Sequence, residues 1–232
     1  MPFRYFSHID IETMHTAPSP RTQVKRIARN ASYDPALLHA IVDAAYLCHI
    51  AFADAQGNHC IPTACWRSGD YLYIHGSNGS RMLKALAAQE CCVTITHLDG
   101  LVMARAAFNH SMNYRSAMIY GRFETVEEAG KRPALEAFMD HLAPGRQAQV
   151  RAGNEQEYAA TTVMRIALLE AACKVRSGPP NDDDADLGIA VWAGVLPLAL
   201  ARGAPQPDAR GTAPLSAQLP AQLPDYVHAW QD

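Results

Sequence analysis

Short strand-forming segments separated by tight turns fill the middle of the chain, and they limit its possible folds more than any other feature. Residues 46–54, 59–67 and 71–75 are rich in apolar, aromatic and β-branched side chains, and the turn-forming sequences QGN and SGD separate them. A doubly wound parallel sheet needs a helix between nearly every pair of strands, and those helices are missing. The pattern therefore predicts a mainly β protein, an antiparallel barrel with peripheral α-helices.

Strand signals continue in the second half of the chain. Residues 91–99 and 100–108 predict another hairpin, which turns at the Asp-Gly pair between them. Residues 114–126 predict a long strand in which Gly121 marks a bulge or bend. Residues 163–178 predict one or two further strands.

Helices are predicted at four places, residues 32–46, about 79–88, 127–144 and 154–162. Pro133 lies inside the third and could split it.

Three regions follow from composition. Residues 1–30 are polar and predict an N-terminal arm, residues 31–200 form the predicted barrel domain, and residues 201–232, rich in Ala, Pro, Gln and Gly, predict an extended C-terminal tail. The first residues are polar and acidic where a signal peptide needs an apolar core, and no apolar run reaches about 18 residues. We therefore expect a cytoplasmic protein without a membrane span.

Charge and metal-ligand spacing exclude other classes of function. The net charge is −3 and there is no lysine-rich run, so binding to nucleic acid or to an anionic membrane has no electrostatic support. The six cysteines form no C-x-x-C pair, and the ten histidines show no metal-ligand spacing. We expect reduced thiols and no metal site.

The stretch YLYIHGSNGSRMLKAL, residues 71–86, places many hydrogen-bond donors at one strand-to-helix corner. A helix that begins near Gly79 presents free N–H groups and the positive end of its dipole to the loop. Ser77 and Ser80 add hydroxyl groups, Arg81 adds a permanent cation, and Gly76 lets the backbone approach an anion. These features favour a phosphate-binding corner. The alternative is an ordinary β-to-α turn with a serine or asparagine cap.

A longer sequence pattern bears on this choice. The pattern consists of four stretches, ASYDPALLHAIVDAAYLCHIAFADAQGNHCIPTACWRSGDYLYIHGSNGSRMLKAL, VTITHLDGLVMARAAFNHSMNYRSAMIYGRFETV, KVRSGPP and VWAGVLPL. These stretches and their order resemble the flavin-nucleotide-binding family related to pyridoxamine 5′-phosphate oxidase. Nitroimidazole-resistance proteins belong to the same superfamily. The resemblance covers roughly residues 20–205. It implies the FMN-binding split β-barrel, FMN as cofactor, and a homodimer with two flavins at the subunit interface.

The resemblance also implies which residues contact the flavin. The IPT segment would follow the edge of the isoalloxazine ring, and the HGSNGSRM segment would bind the phosphate. The ring-edge residues are Ile61, Pro62, Thr63 and Ala64, and the phosphate-binding residues are His75, Gly76, Ser77, Ser80, Arg81 and Met82. Pro62 could equally mark the end of a strand, and His75 could bond a neighbouring carbonyl.

Residues of the second half are implied as well. The NHSMNYRS stretch would approach the flavin with Asn113, Tyr114, Arg115 and Ser116. A cation there would stabilise the anionic reduced ring, although Arg115 could instead form a surface salt bridge. Trp192 could reach the flavin of the partner subunit or pack as an interface aromatic. Lys174 and Arg176 share one face of a strand, as exterior charges or as helpers of the phosphate.

One departure from the family leaves the substrate open. Pyridoxamine phosphate oxidases bind the substrate phosphate with a basic C-terminal stretch of arginine and histidine, and residues 196–230 contain no counterpart. We therefore expect an FMN-dependent oxidoreductase with a reduced pyridine nucleotide as donor and a small planar substrate. His49 could donate a proton beside the ring, or it could be a satisfied core histidine. A non-catalytic FMN carrier or sensor is the alternative, and a haem-binding barrel is a third.

Overall fold

The computed structural model describes residues 16–204, 206 and 208. Residues 1–15 of the predicted arm and most of the predicted tail lie outside this part of the chain. Within it, the helices are α1 (Pro35–Asp43), α2 (Arg81–Ala88), α3 (Glu128–Leu142) and α4 (Glu155–Ala159). The strands are β1 (Ala31–Ser32), β2 (Leu47–Asp54), β3 (Gly57–Ala64), β4 (Trp66–Ser68), β5 (Tyr71–Ser77), β6 (Glu90–Met103), β7 (Ser111–Arg122), β8 (Glu124–Thr125), β9 (Thr161–Ala167), β10 (Ala171–Arg176) and β11 (Gly194–Pro197).

The strands form two antiparallel sheets. The larger has the order β1-β10-β7-β6-β2-β3, and the smaller has the order β4-β5-β9-β8. Strand β6 pairs with β7 along most of its length. On the other edge of β6, β2 pairs with the first half of the strand and β11 pairs with the second half. The predicted mainly β class with peripheral helices is therefore confirmed.

Alternation along the strands places the core between the two sheets. In β2, every second residue is buried, and Ile50 packs with Val93 of β6 and Ile119 of β7. Leu83 and Leu86 of α2 close this core from one end. The start of α2 is thus fixed relative to the barrel by the burial of two leucines.

The predicted hairpin across residues 99 and 100 is wrong. Residues 90–103 form the single strand β6, and the Asp-Gly pair lies at a register shift between Leu98 and Gly100. The chain continues as a strand because both halves of β6 find partners on β7, and the far half also pairs with β11. Gly121 has a positive φ of 147°, but it pairs in register with Cys91, so the β6–β7 ladder has no bulge at this position. Helix α3 continues through Pro133.

The described part of the N-terminal arm is attached to the barrel by an arginine. The guanidinium of Arg21 donates to Glu90 and to Glu170, each at 2.8 Å, and it lies 5.0 Å from the ring centre of Tyr120. These contacts fix the arm across the end of the larger sheet.

Candidate flavin site

The corner between β5 and α2 is built as a capped turn. The Ser80 N–H donates to the Ser77 carbonyl at 2.9 Å, and the Ser77 Oγ accepts from the Gly79 N–H at 3.2 Å. Ser80 is the N-cap of α2, because its Oγ accepts from the Leu83 N–H at 3.4 Å. The ordinary cap predicted as the alternative is therefore present. Both hydroxyls act here as acceptors, which leaves each O–H proton available to an anion.

Helix α2 directs its first N–H groups into this corner. Arg81 and Met82 are the first two residues of the helix, so their N–H groups have no carbonyl partner within it. A Cβ on Gly76 would lie 3.1 Å from Leu83 Cδ1, and the predicted approach of the Gly76 backbone to an anion stays a prediction. Gly76 thus allows the helix to pack closely on β5. The backbone at Gly79 is open, with only the Ser77 hydroxyl near its missing Cβ.

The Arg81 side chain crosses from α2 to the turn between β2 and β3. Its Nη1 donates to the Gln56 side-chain oxygen, and its Nε lies 3.7 Å from an oxygen of Asp54. The other Asp54 oxygen lies 2.8 Å from the His59 Nε2. The hydrogen bond with His59, the Gln56 N–H and the charge of Arg81 lower the pKa of Asp54. The corner therefore contains one cation and one ionised carboxylate.

The predicted ring-edge residues Ile61 to Ala64 lie on β3, at the free edge of the larger sheet. An edge strand directs every second pair of backbone groups away from the sheet, where a planar ligand could bond to them. Pro62 is level with His49 on β2, and both are exposed. A proline suits this edge because it has no N–H to contribute to a ladder. His49 is thus not a core histidine.

His75 lies in an aromatic cluster that the sequence analysis did not identify. Its ring centre is 5.7 Å from that of Trp66 and 4.8 Å from that of Phe138 on α3. The His75 Nδ1 and the Trp66 Nε1 are buried, and neither has a hydrogen-bond partner among the residues that the structure describes. Burial lowers the pKa of His75, so the imidazole is held in its neutral form. The ring belongs to this cluster, and its predicted contact with phosphate stays a prediction.

The predicted residues of β7 are held by their own neighbours. Arg115 donates through Nε and Nη2 to both oxygens of Asp99, at 2.9 and 2.8 Å, which raises the pKa of Arg115. Asn113 is buried, donates to the Gly178 carbonyl at 3.1 Å and accepts from Arg176. The ion pair between Arg115 and Asp99 is the surface salt bridge that the sequence analysis gives as the alternative to a flavin contact.

Three further residues complete the predicted set. Ser116 donates to the Lys174 carbonyl at 3.2 Å, and Tyr114 is level with Arg176 on β10 and half-buried. Trp192 is 61% exposed and precedes β11, where its ring lies over Gly194. The exposure leaves the Trp192 ring free to contact another molecule.

The phosphate corner and Asn113 of β7 are far apart along the sheet within one chain. Ala51 is level with Cys92 on β6, whereas Asn113 is level with Gly100 of the same strand. Eight residues of strand separate these levels, roughly 26 Å at about 3.3 Å per residue. The start of α2 lies beyond the Ala51 end, next to the β2–β3 turn. The phosphate corner and the Asn113 end of β7 therefore lie at opposite ends of the sheet.

No group of three or more potential metal ligands occurs among residues 16–204, 206 and 208. Within that portion of the chain, no helix is both long enough and apolar enough to cross a membrane.

Two solved structures resemble this chain over almost its whole length. The flavocytochrome Anf3 from Azotobacter vinelandii is 40% identical, and the match covers 93% of this chain and 98% of that one with a TM-score of 0.85. The FAD- and haem-binding protein from Mycobacterium smegmatis is 35% identical, with coverages of 87% and 97% and a TM-score of 0.80. No curated protein sequence matches the chain.

A third structure and a family model agree with the predicted fold. A candidate 5-nitroimidazole antibiotic resistance protein from Bacteroides thetaiotaomicron is 21% identical, and the match covers 62% of this chain and 86% of that one with a TM-score of 0.53. At this identity the likeness shows the fold alone. The model described as pyridoxamine 5′-phosphate oxidase matches residues 34–175, more than half of the chain. The split-barrel prediction is confirmed, and the chain belongs to the pyridoxamine 5′-phosphate oxidase family.

Proposed function

We propose that this protein binds a flavin nucleotide and uses it for electron transfer. The observation that carries the proposal is the start of α2, where a capped helix terminus and one oriented arginine converge beside a free strand edge. The phosphate would bond to the Arg81 and Met82 N–H groups, to the Ser80 hydroxyl and to the Arg81 guanidinium. The names of two structures that match most of this chain, a flavocytochrome and an FAD- and haem-binding protein, support a flavin.

The proposed flavin is FMN, as the sequence analysis predicts, and FAD is the alternative. Both carry the same 5′-phosphate, and this corner would bind it in either case. FAD is the flavin named for the relative from Mycobacterium smegmatis. Lys84, exposed one turn after Arg81 on α2, has no ion pair among the described residues and is near enough in sequence to meet a second phosphate.

The proposed reaction is flavin-dependent oxidation or reduction of a small planar substrate, with a reduced pyridine nucleotide as donor. When bound, the flavin supplies the two-electron chemistry, and the protein binds and orients it. Backbone groups of Ile61 to Ala64 would bond to the ring edge, and the Arg115–Asp99 pair would present almost no net charge to it. A flavin carrier without turnover is the alternative.

Haem is a second candidate cofactor, and the cluster around His75 favours it. A histidine binds haem iron through an unprotonated ring nitrogen, and burial lowers the pKa of His75, which favours that form. Among the described histidines, only His49 and His75 have no recorded hydrogen-bond or ion-pair partner, and only His75 is surrounded by aromatic rings. His75 would therefore be the residue that holds a haem iron, and the names of both extensively matching relatives include haem or cytochrome.

A homodimer with the flavin at its interface is part of the proposal. One flavin could contact both the α2 corner and the Asn113 end of β7 only if two chains contribute, because these lie far apart within one chain. Exposed apolar side chains on the outside of the larger sheet, Leu47, Leu98 and Met112, would be covered by the second chain. Sedimentation analysis should give the mass of two chains.

Absorption spectroscopy on the purified protein tests the cofactor proposal. Flavin bands are expected, and acid release followed by chromatography identifies FMN or FAD. A Soret band that is lost in the variant His75→Ala, but kept in His49→Ala, would support haem at His75. Bleaching of the flavin by anaerobic NADH or NADPH supports an oxidoreductase, whereas a flavin that stays oxidised supports a carrier. Folded protein that takes up no flavin would contradict the proposal.

A further inference from the structure

The turn between β2 and β3 touches the arginine of the proposed phosphate corner. Gln56 accepts a hydrogen bond from Arg81 Nη1, and an Asp54 oxygen lies 3.7 Å from Arg81 Nε. Arginine has a long side chain, and fixing it costs conformational entropy. The free energy of anion binding must otherwise offset this cost. Two contacts from one turn remove much of this freedom before any ligand arrives.

The turn is itself anchored to the core. Asp54 Oδ1 accepts from the Gln56 N–H at 2.8 Å and lies 2.8 Å from His59 Nε2. The His59 ring packs on Phe52, with ring centres 5.1 Å apart, and Phe52 is buried in the main core. A continuous series of contacts therefore connects the core, the turn and the Arg81 guanidinium.

We propose that Gln56, held in place by Asp54, is a positioning residue that orients Arg81 toward the flavin phosphate. The proposal rests on the proposed function of the α2 corner. Among residues 16–204, 206 and 208, Arg81 Nη2 has no recorded acceptor, so its two hydrogens are left for an anion while Nη1 and Nε face the turn. Gln56 itself does not need to touch the flavin.

Titration of the apoprotein with FMN and with riboflavin tests the proposal, because riboflavin has the same ring and no phosphate. Gln56→Ala should weaken FMN binding by about fivefold, the effect of releasing one ordered side chain, and should change riboflavin binding by less than about twofold. In the Arg81→Ala background, Gln56→Ala should have no further effect on FMN. Gln56→Met, which keeps the length but lacks the oxygen, should behave as Gln56→Ala does.

Asn58→Ala is the matched control, since Asn58 is exposed on the same hairpin and its side chain bonds to no other residue in the described part of the chain. It should leave both affinities unchanged. Equal weakening of FMN and riboflavin by Gln56→Ala would overturn the proposal, because it would indicate a general disturbance of the hairpin. Unchanged FMN binding, or effects of Gln56→Ala and Arg81→Ala that simply add, would also overturn it. If FMN binds to the wild-type protein but Arg81→Ala has no effect, the phosphate corner itself is refuted, which is a separate result.

Discussion

Replacing Ser80 and Arg81 together by alanine removes a hydroxyl and a guanidinium from the start of α2. Hydrogen bonds to charged groups contribute about 1.5–3 kcal/mol when they are well shielded. The Arg81 side chain is 53% exposed, so solvent reduces its contribution to about 1 kcal/mol. The Ser80 hydroxyl adds about 1 kcal/mol. The sum of about 2 kcal/mol corresponds to about 30-fold weaker binding of FMN, and the reasoning requires at least about tenfold.

The assay is quenching of flavin fluorescence on titration with apoprotein, performed with FMN and with riboflavin. Only FMN binding should weaken, because riboflavin has no phosphate. Ser80 also caps α2, so the double variant should lose about 1 kcal/mol of unfolding free energy, and its fold must be checked by circular dichroism. Arg132→Ala, an exposed arginine on α3, is the control and should bind FMN normally. Unchanged retention of FMN by a folded double variant would remove both residues from the site.

Three further predictions concern other parts of the chain. Burial lowers the pKa of His75, so the unfolded state binds a proton more readily than the folded state. The free energy of unfolding should therefore fall as the pH drops below about 6.5. Urea denaturation should show a smaller fall for the variant His75→Phe. Gly100→Ala places a Cβ 2.9 Å from Val195 and should cost about 1–3 kcal/mol by displacing β11; a wild-type urea midpoint would contradict this. Arg115→Ala leaves Asp99 unpaired and should lower the free energy of unfolding by at most about 1 kcal/mol. In a redox titration it should make the flavin midpoint potential more negative. An unchanged potential would place Arg115 away from the ring.

Local patterns predicted most of the elements. The strands that became β2, β3 and β5 alternate or contain β-branched residues, and the turns between them are short, so neighbouring residues determine them. The start of α2 followed from Ser80, a preferred cap, next to an amphipathic run. Such features depend on residues within one or two turns of each other, which a sequence displays directly.

Contacts between distant segments could not be predicted in this way. The Asp-Gly pair at 99–100 has the sequence of a hairpin turn, but it lies in a continuous strand because β7 pairs with both halves of β6. Strand β11, almost a hundred residues later, pairs with the far half as well. The wrong hairpin also hid the partner of Arg115, since Asp99 was placed in a turn.

The cluster of Trp66, His75 and Phe138 unites three separate elements. The sequence contains one signal for this cluster. Tyr73 and His75 are two positions apart on a predicted strand, so their side chains lie on the same face of the sheet. Similarly, the contact of Gln56 with Arg81 depends on the reach of two long side chains across 25 positions. Neither arrangement has a sequence signature of its own.

Stoichiometric titration of the folded apoprotein with FMN tests whether the corner at the start of α2 binds the phosphate of a flavin. We expect saturable quenching of flavin fluorescence with one FMN bound per chain, and much weaker binding of riboflavin, since the phosphate is held at the start of α2. Correctly folded protein that leaves FMN fluorescence unquenched, or binds FMN and riboflavin equally well, would contradict it.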